Sequence, residues 1–357
     1  MDGSMTKELP PTHRALKVQS AGQLALIEDC LLPEIQDGDM LVRVAYVSLN
    51  PVDSKSADMS PSPEATSGCD FSGVIISMGS VVKSQVGVGD RVCGCVFGNN
   101  PIRLDNGAFA EYVAVPAQLV WKIPAQMSFQ TAATLGIGFA TAGLALYHGL
   151  QLPLPVSGPE VPSAVLVYGG GTATGTLAIQ LLRLSGLTPI TTCSPRNFNR
   201  VKRLGAVAAF DYRSPTCGTD IREYTRDRLA LAMDCITDTR SMELCYTALG
   251  SAGGRYLALD PFPVRKHTRR SVQPDWICMF TQFDQFINWE RPYNLDPRPE
   301  DRLFAERWYA VVQGLLDAGQ IESHPYKERR GGLAGVAEGI DAVRKGEVNG
   351  YKLVYGV

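Results

Sequence analysis

The stretch VLVYGGGTATGTLAIQ, residues 165–180, decides how this chain folds. An apolar run leads into three glycines and then into a helix pattern of small and apolar residues. That order of strand, turn and helix aims backbone N–H groups and the positive end of a helix at a phosphate. Read as G-x-G-x-x-G from Gly170, the spacing gives Gly170, then Thr172 at the middle position, then Gly175. A side chain at the middle position crowds a pyrophosphate lying on bare backbone, while the hydroxyls of Thr172, Thr174 and Thr176 could donate to phosphate oxygens. Any glycine-rich turn between strand and helix shares these few letters. What favours dinucleotide binding is that the motif opens a long strand–helix series.

Working outward, apolar strand patterns fall at 164–170, 188–194, 208–212, 229–236 and 254–263. Helix patterns at 175–186, 197–206, 221–228 and 239–250 lie between them. Continuous apolar strands alternating with amphipathic helices predict a parallel sheet covered on both faces. Upstream, the runs DMLVRVAYVSLN (39–50), GVIISMG (73–79), DRVCGCVFG (90–98) and FAEYVAVP (109–116) are β-branched or alternating and bounded by Gly, Asp and Pro. They predict a β-rich, partly closed unit. Between the two, SFQTAATLGIGFATAGLALYHGL (128–150) has helical spacing with Ser128 as N-cap, and a proline-rich insertion occupies 152–164. The tail predicts helices over 300–319 and 333–346, a short strand around 324–327 and a closing strand at 351–356.

The composition is that of an ordinary globular protein: 357 residues, 45% hydrophobic, 20% charged, net charge −2. That balance gives no reason to expect nucleic acid or an anionic membrane as partner. The polar N-terminus lacks the basic start and apolar run of a signal peptide, no stretch reaches membrane-spanning length, and the nine cysteines are scattered. A cytoplasmic location with reduced thiols is expected.

The end of the second parallel strand selects the cofactor. NAD-binding proteins place an acidic residue there, about 20 residues beyond the glycines, to hold the ribose 2′-hydroxyl. Here the place reads Cys193-Ser194-Pro195-Arg196-Asn197. No carboxylate repels a 2′-phosphate, and a hydroxyl, a guanidinium and an amide are available to bind it, so NADPH is expected.

The segments VRVAYVSLNPVDSK, GCDFSGVI, VGVGDRVCG, GAFAEYV and AATLGIGFATAGLAL, in that order, resemble the quinone-oxidoreductase branch of the medium-chain dehydrogenase/reductases. The resemblance covers nearly the whole chain and implies an α/β protein. A GroES-like β-rich catalytic domain (1–135 and 319–357) would surround a Rossmann doubly wound parallel-sheet domain (136–318). LVYGGGTATGT, LLRLSG, CSPRNFN, FDYRSP, DCIT, LDPFP and VRKGEVNGYKLV are further similar to the fungal trans-acting enoyl reductases, stand-alone partners of highly reducing polyketide synthases of the lovastatin type. The zinc enzymes of the superfamily bind metal through an early Cys and the His of G-H-E. Those places read Asn50-Pro51 and Gly68-Cys69-Asp70 here, and only Cys93 and Cys95 stand where a structural zinc needs four thiolates, so no metal is expected. His13, His148, His267 and His324 share no ligand spacing.

That resemblance implies site residues. Pro51, Val52, Asp53 and Ser54, then Gly171, Thr172, Ala173 and Thr174, would contact NADP. So would Ser194, Pro195, Arg196 and Asn197, with Tyr212, Leu259, Asp260, Val348 and Asn349. Gly138, Phe139, Ala140, Thr141, Ala142, Gly143, Leu144 and Ala145 would line the substrate channel, with Thr281, Gln282, Phe283, Asp284 and Gln285. Lys55 is the first candidate to assist an enolate or relay a proton, and Thr141 the second. Without a metal, a conjugated enoyl thioester is a better target than a ketone: hydride adds at the β-carbon and charge collects on the thioester oxygen. The expected activity is NADPH-dependent reduction of an enoyl polyketide on the acyl carrier domain of a highly reducing polyketide synthase, alone or as a hybrid with a peptide synthetase. A free-standing quinone or enone reductase and a non-reducing NADP-binding scaffold remain as alternatives. Arg265, Lys266, Arg269 and Arg270 form the densest basic segment and are the candidate docking patch for an acidic carrier. A monomer is expected, because the strand RYLAL runs into Asp260-Pro261-Phe262-Pro263 and prolines blunt an edge.

Overall fold

The computed structural model describes residues 9–82, 85–155 and 163–357, so part of the proline-rich insertion lies outside the described residues. The first unit contains β1 (Thr12–Ser20), β2 (Gln23–Leu31), β3 (Asp39–Ser48), α1 (Pro51–Met59), β4 (Asp70–Met78), β5 (Arg91–Cys95), β6 (Tyr112–Pro116) and β7 (Val120–Lys122). Two short helices, α2 (Phe129–Ala133) and α3 (Gly136–Gly143), lead into β8 (Ala164–Tyr168), α4 (Ala173–Leu184), β9 (Thr188–Thr192), α5 (Phe198–Leu204), β10 (Ala208–Phe210), α6 (Cys217–Tyr224), β11 (Leu231–Asp234), α7 (Thr239–Ala248), β12 (Gly254–Ala258) and β13 (Val272–Trp276). A small hairpin, β14 (Ile287–Asn288) with β15 (Asn294–Leu295), precedes α8 (Pro299–Asp317), β16 (Tyr326–Arg329), α9 (Gly332–Arg344) and β17 (Lys352–Gly356).

Strands β8 to β13 form one six-stranded sheet in the order β10-β9-β8-β11-β12-β13, and every pair in it is parallel. That is the doubly wound order, with the crossover switch beside β8 where a dinucleotide binds. The second large sheet, β16-β17-β3-β4-β5-β7 with β6 on β3, takes strands from both ends of the chain. The sequence reading missed β1 and β2, which pair antiparallel by themselves.

Three expectations are corrected. The expected single helix over 128–150 is broken. Ser128 does cap α2, accepting the Thr131 N–H, but the buried Asp70 carboxylate takes the Ile137 N–H at 2.6 Å and starts α3 anew; residues 144–149 then widen into a π turn. The strand RYLAL is not an edge, because β13 pairs with β12 outside it. And the basic segment is partly consumed: Arg269 donates to the carbonyls of Tyr246, Leu249 and Gly250 at the end of α7, while Lys266 pairs with Glu243.

A buried polar knot ties the two units together. Asp70 on β4 is wholly buried and accepts from Lys352 Nζ of β17 (2.6 Å), Asn50 Nδ2 (2.9 Å) and Ser48 Oγ (3.1 Å), besides the backbone of α3. Lys352 Nζ gives a second hydrogen bond to Asn50 Oδ1 at 2.8 Å. Removing one partner of a buried, hydrogen-bonded pair leaves an uncompensated charge. Lys352→Met should therefore lower unfolding free energy in urea by about 3–5 kcal/mol, and adding Asp70→Leu should restore part of it. A single-variant loss below about 1 kcal/mol would show that the pair is dispensable.

Candidate active site

Two adjoining cavities run between the sheets. The first, of about 420 Å³, lies over the turn after β8. Gly169 sits at φ +87°, a conformation that favours glycine, and a Cβ on Gly170 would lie 2.0 Å from Thr191 Oγ1. Thr172 is the N-cap of α4: its Oγ1 accepts the Gly175 N–H at 3.0 Å. Thr176 is not available to a phosphate, since its hydroxyl donates to Ala173 O and pairs with His324 Nδ1. Burial pushes the His324 imidazole down to about 3, so it stays neutral in the cleft wall.

The far end of this cavity gathers Ser194, Arg196, Asn197 and Tyr212, with Asp238 and Arg240 from the start of α7. The wall contributed by the chain's tail carries Val348, Asn349, Gly350, Tyr351 and Lys352. Arg196 is exposed and has no acidic partner among the described residues, while the nearby Asp211 is held by Arg213 through two hydrogen bonds of 2.8 and 2.9 Å. Pro195 is exposed beside this wall but does not line it. Asp53 and Ser54 do not reach the cleft either. Asp53 is buried in the capping box of α1, accepting Asn50 N–H at 2.7 Å, and burial raises its carboxyl to about 7; Ser54 Oγ is turned back to Pro51 O.

The second cavity, of about 370 Å³, shares Asn50, Pro51, Thr172, Ala173 and Ile236 with the first, so the two are continuous. Val52, Thr174 and Leu259 also line it. On one wall Lys55 Nζ lies 2.9 Å from Asp260 Oδ2, and the Tyr293 hydroxyl donates to Asp260 Oδ1. Burial and the neighbouring Asp260 hold the Tyr293 hydroxyl well above its usual value, so it stays a donor. Thr141, nearly buried, also lines this cavity, and its hydroxyl has no hydrogen-bond partner among the described residues.

Most of the expected channel segment packs elsewhere. A Cβ on Gly138 would strike Leu177, and one on Gly143 would lie 2.0 Å from Trp308 Nε1, which donates to Phe139 O. These small residues let α3 cross α4 and α8 closely, and Phe139, Ala142, Leu144 and Ala145 fill the same core; Ala140 packs behind the cavity wall. Thr281 and Gln282 are buried too, bonded to Asp301 and to Cys95 Sγ, and Asp284 turns the chain at φ +50°. Phe283 and Gln285 line a separate cavity of about 230 Å³. The wall is instead built from Ser56, Met59, Ser60, Ile137, Ile277, Cys278, Met279, Phe280, Trp289 and Tyr293. The lining run ICMF, residues 277–280, lies just before the expected segment 281–285, an offset that is invisible without knowing where the turn closes.

Among the described residues, no three His, Cys, Asp or Glu side chains are placed to hold a metal ion, and no helix is long and apolar enough to cross a membrane. Fold and cleft together define an α/β protein in which a doubly wound parallel sheet and a β-rich unit enclose a cleft. Residues 36–125 match the alcohol dehydrogenase GroES-like domain. An alcohol dehydrogenase superfamily protein of Novosphingobium aromaticivorans has the same fold, with TM-score 0.78 at 20% identity over 97% of this chain and 100% of its own. The chain is 57% identical to trans-enoyl reductase iccB of Talaromyces variabilis over 99% of this chain and 98% of that one. It is 57% identical to trans-enoyl reductase opdC of Penicillium oxalicum over 98% of each. It belongs to the fungal trans-enoyl reductases, within the medium-chain dehydrogenase/reductase superfamily.

The Lys55–Asp260 pair is half exposed, with Lys55 at 53%, so water screens it. Lys55→Met should change unfolding free energy by less than about 1 kcal/mol in urea melts. A larger loss would mean that the pair holds the two units together and is not free to serve chemistry.

Proposed function

We propose that this chain is a trans-acting enoyl reductase, transferring hydride from NADPH to the β-carbon of an α,β-unsaturated polyketide thioester. The substrate is carried on the acyl carrier domain of a partner highly reducing polyketide synthase. A nicotinamide cofactor and a partner synthase follow from the family; NADPH and the carrier domain are the finer reading. What carries it is the continuity of the phosphate-binding cleft with an apolar cavity at Pro51, Thr172, Ala173 and Ile236.

The cleft suits a bound dinucleotide. A bare glycine turn lies before the free end of α4, and Ser194, Arg196, Asn197 and Tyr212 gather where a 2′-phosphate would sit. When bound, the cofactor supplies the hydride. The protein's own task is to hold the enoyl group against it and to stabilise the enolate that forms. Lys55, steadied by Asp260, offers a charged donor for that oxygen or a proton for the α-carbon, and Thr141 offers an unengaged hydroxyl. Cys235 and Cys278 also line the cavity; burial raises both thiols, Cys278 to about 12, so neither is a thiolate that would add to the conjugated bond.

NADPH consumption should be supported by an enoyl thioester and far less by a quinone; the reverse preference would support the free-standing quinone reductase instead. Arg196→Ala should raise the Michaelis constant for NADPH about tenfold or more and leave NADH use nearly unchanged. Equal use of both cofactors by the unaltered protein would contradict the assignment. Lys55→Met and Thr141→Val should each lower kcat, by about a hundredfold for whichever donor faces the enolate oxygen. Unchanged kcat in both would remove them from the chemistry.

We also propose a monomer, on different grounds from the sequence argument. Ile277 N–H bonds to Ala258 O across the β12–β13 ladder, so the alternate residues Pro274 and Trp276 turn their backbone nitrogens outward. Pro274 has no N–H to give, and the Trp276 N–H is taken by Asp275 Oδ1 at 2.8 Å. An edge without donors pairs poorly with a second sheet. Light scattering at micromolar concentration should give the mass of one chain, and twice that mass would refute it.

A further inference from the structure

We infer that Phe280, clamped by Trp289 and backed by Phe97, is the end-stop that sets how long an acyl chain this enzyme reduces, an inference that rests on the enoyl-reductase reading above. Phe280 and Trp289 both face the apolar cavity and both are nearly buried, as is Phe97 behind them. The Phe97 and Phe280 rings stack with centroids 4.6 Å apart and 21° between planes. Trp289 meets both edge-on, at 5.0 and 5.1 Å. Such mixed stacked and edge-to-face contacts suit the ring quadrupoles and make a three-ring cluster a stiff wall.

The wall is also pinned from outside. The Trp289 indole N–H donates to Asn99 O at 2.9 Å. Asn99 is itself buried in the left-handed region at φ +53°, held by the Ser62 N–H at 2.9 Å and by its own amide to Ser60 O at 3.0 Å. A side chain fixed by packing on two rings and by a hydrogen bond on its third side does not swing aside for a longer ligand.

What lies on each side of the wall differs in kind. The cavity in front carries Ile137, Met279 and other apolar groups and joins the cofactor cleft at Asn50, Pro51, Thr172, Ala173 and Ile236, residues other than the ring cluster. Behind Phe97 is the separate cavity of about 230 Å³, whose lining includes Asn100, Arg103, Asn106 and Arg302. An apolar chain tip that passed the rings would strip water from those polar groups and give nothing back. Steric closure and desolvation therefore act at the same place.

The experiment is a ladder of 2-enoyl pantetheine thioesters of increasing length, read as kcat/KM with NADPH for the unaltered protein, Phe280→Ala and the milder Phe280→Leu. The unaltered protein should show a cut-off, and Phe280→Ala should raise kcat/KM for the first rejected length by roughly tenfold or more relative to the shortest substrate. Phe280→Leu should move the cut-off in the same direction by less, and it is read alone if thermal melting shows that Phe280→Ala does not fold. A folded variant whose losses are equal at every length, with the cut-off unmoved, overturns the end-stop. Reduction of no thioester at any length by the unaltered protein overturns the enoyl-reductase reading, and the end-stop with it.

Discussion

The ion pair between Lys352 and Asp70 is the constraint on which the rest of the molecule depends. Two charges taken wholly out of water are tolerable only if nearly all of their hydrogen-bonding capacity is used, and here it is. Asp70 serves β4, β17, the start of α1 and the start of α3 together, so four elements drawn from three distant parts of the chain meet at one carboxylate. The position answers to the acidic end of the G-H-E triplet of the zinc enzymes. Asp70 here anchors a lysine, and Asn50 stands where the early cysteine would be.

That knot sets the site because its members also border it. Asn50 lines both cavities, Lys352 lines the first, and Ile137, whose backbone Asp70 holds, lines the second. The junction of the units and part of the lining of both cavities are thus one hydrogen-bonded assembly. Lys55, Asp260 and Tyr293 make a second, weaker bridge, partly exposed to water.

Much of this was legible in the sequence, for reasons that are local. The glycine turn, the βα alternation and the strands at 39–48 and 70–78 follow from periodicity and turn chemistry, which short windows carry. That Ser194, Arg196 and Asn197 would line the cleft was readable because they follow directly on the second parallel strand. The lining of the second, apolar cavity was not. Gly138 and Gly143 are small because α3 crosses α4 and Trp308 closely, and small residues at a helix crossing look like residues that leave room for a ligand. Trp289 and Tyr293 come from a hairpin with no periodic signature, and Asp53 reads as polar when its carboxylate is spent inside a helix cap. Side chains that act through distant partners, as Arg269 does at the end of α7, are likewise silent until the partners are placed.

The most direct measurement follows the hydride. The chain is incubated with NADPH carrying deuterium at C4 of the nicotinamide and an enoyl thioester on an acyl carrier domain, and the reduced acyl chain is read by mass spectrometry and NMR. The account requires deuterium from one C4 face at the β-carbon and solvent hydrogen at the α-carbon. Deuterium at the α-carbon, or a substrate released unreduced while NADPH remains bound, would contradict it.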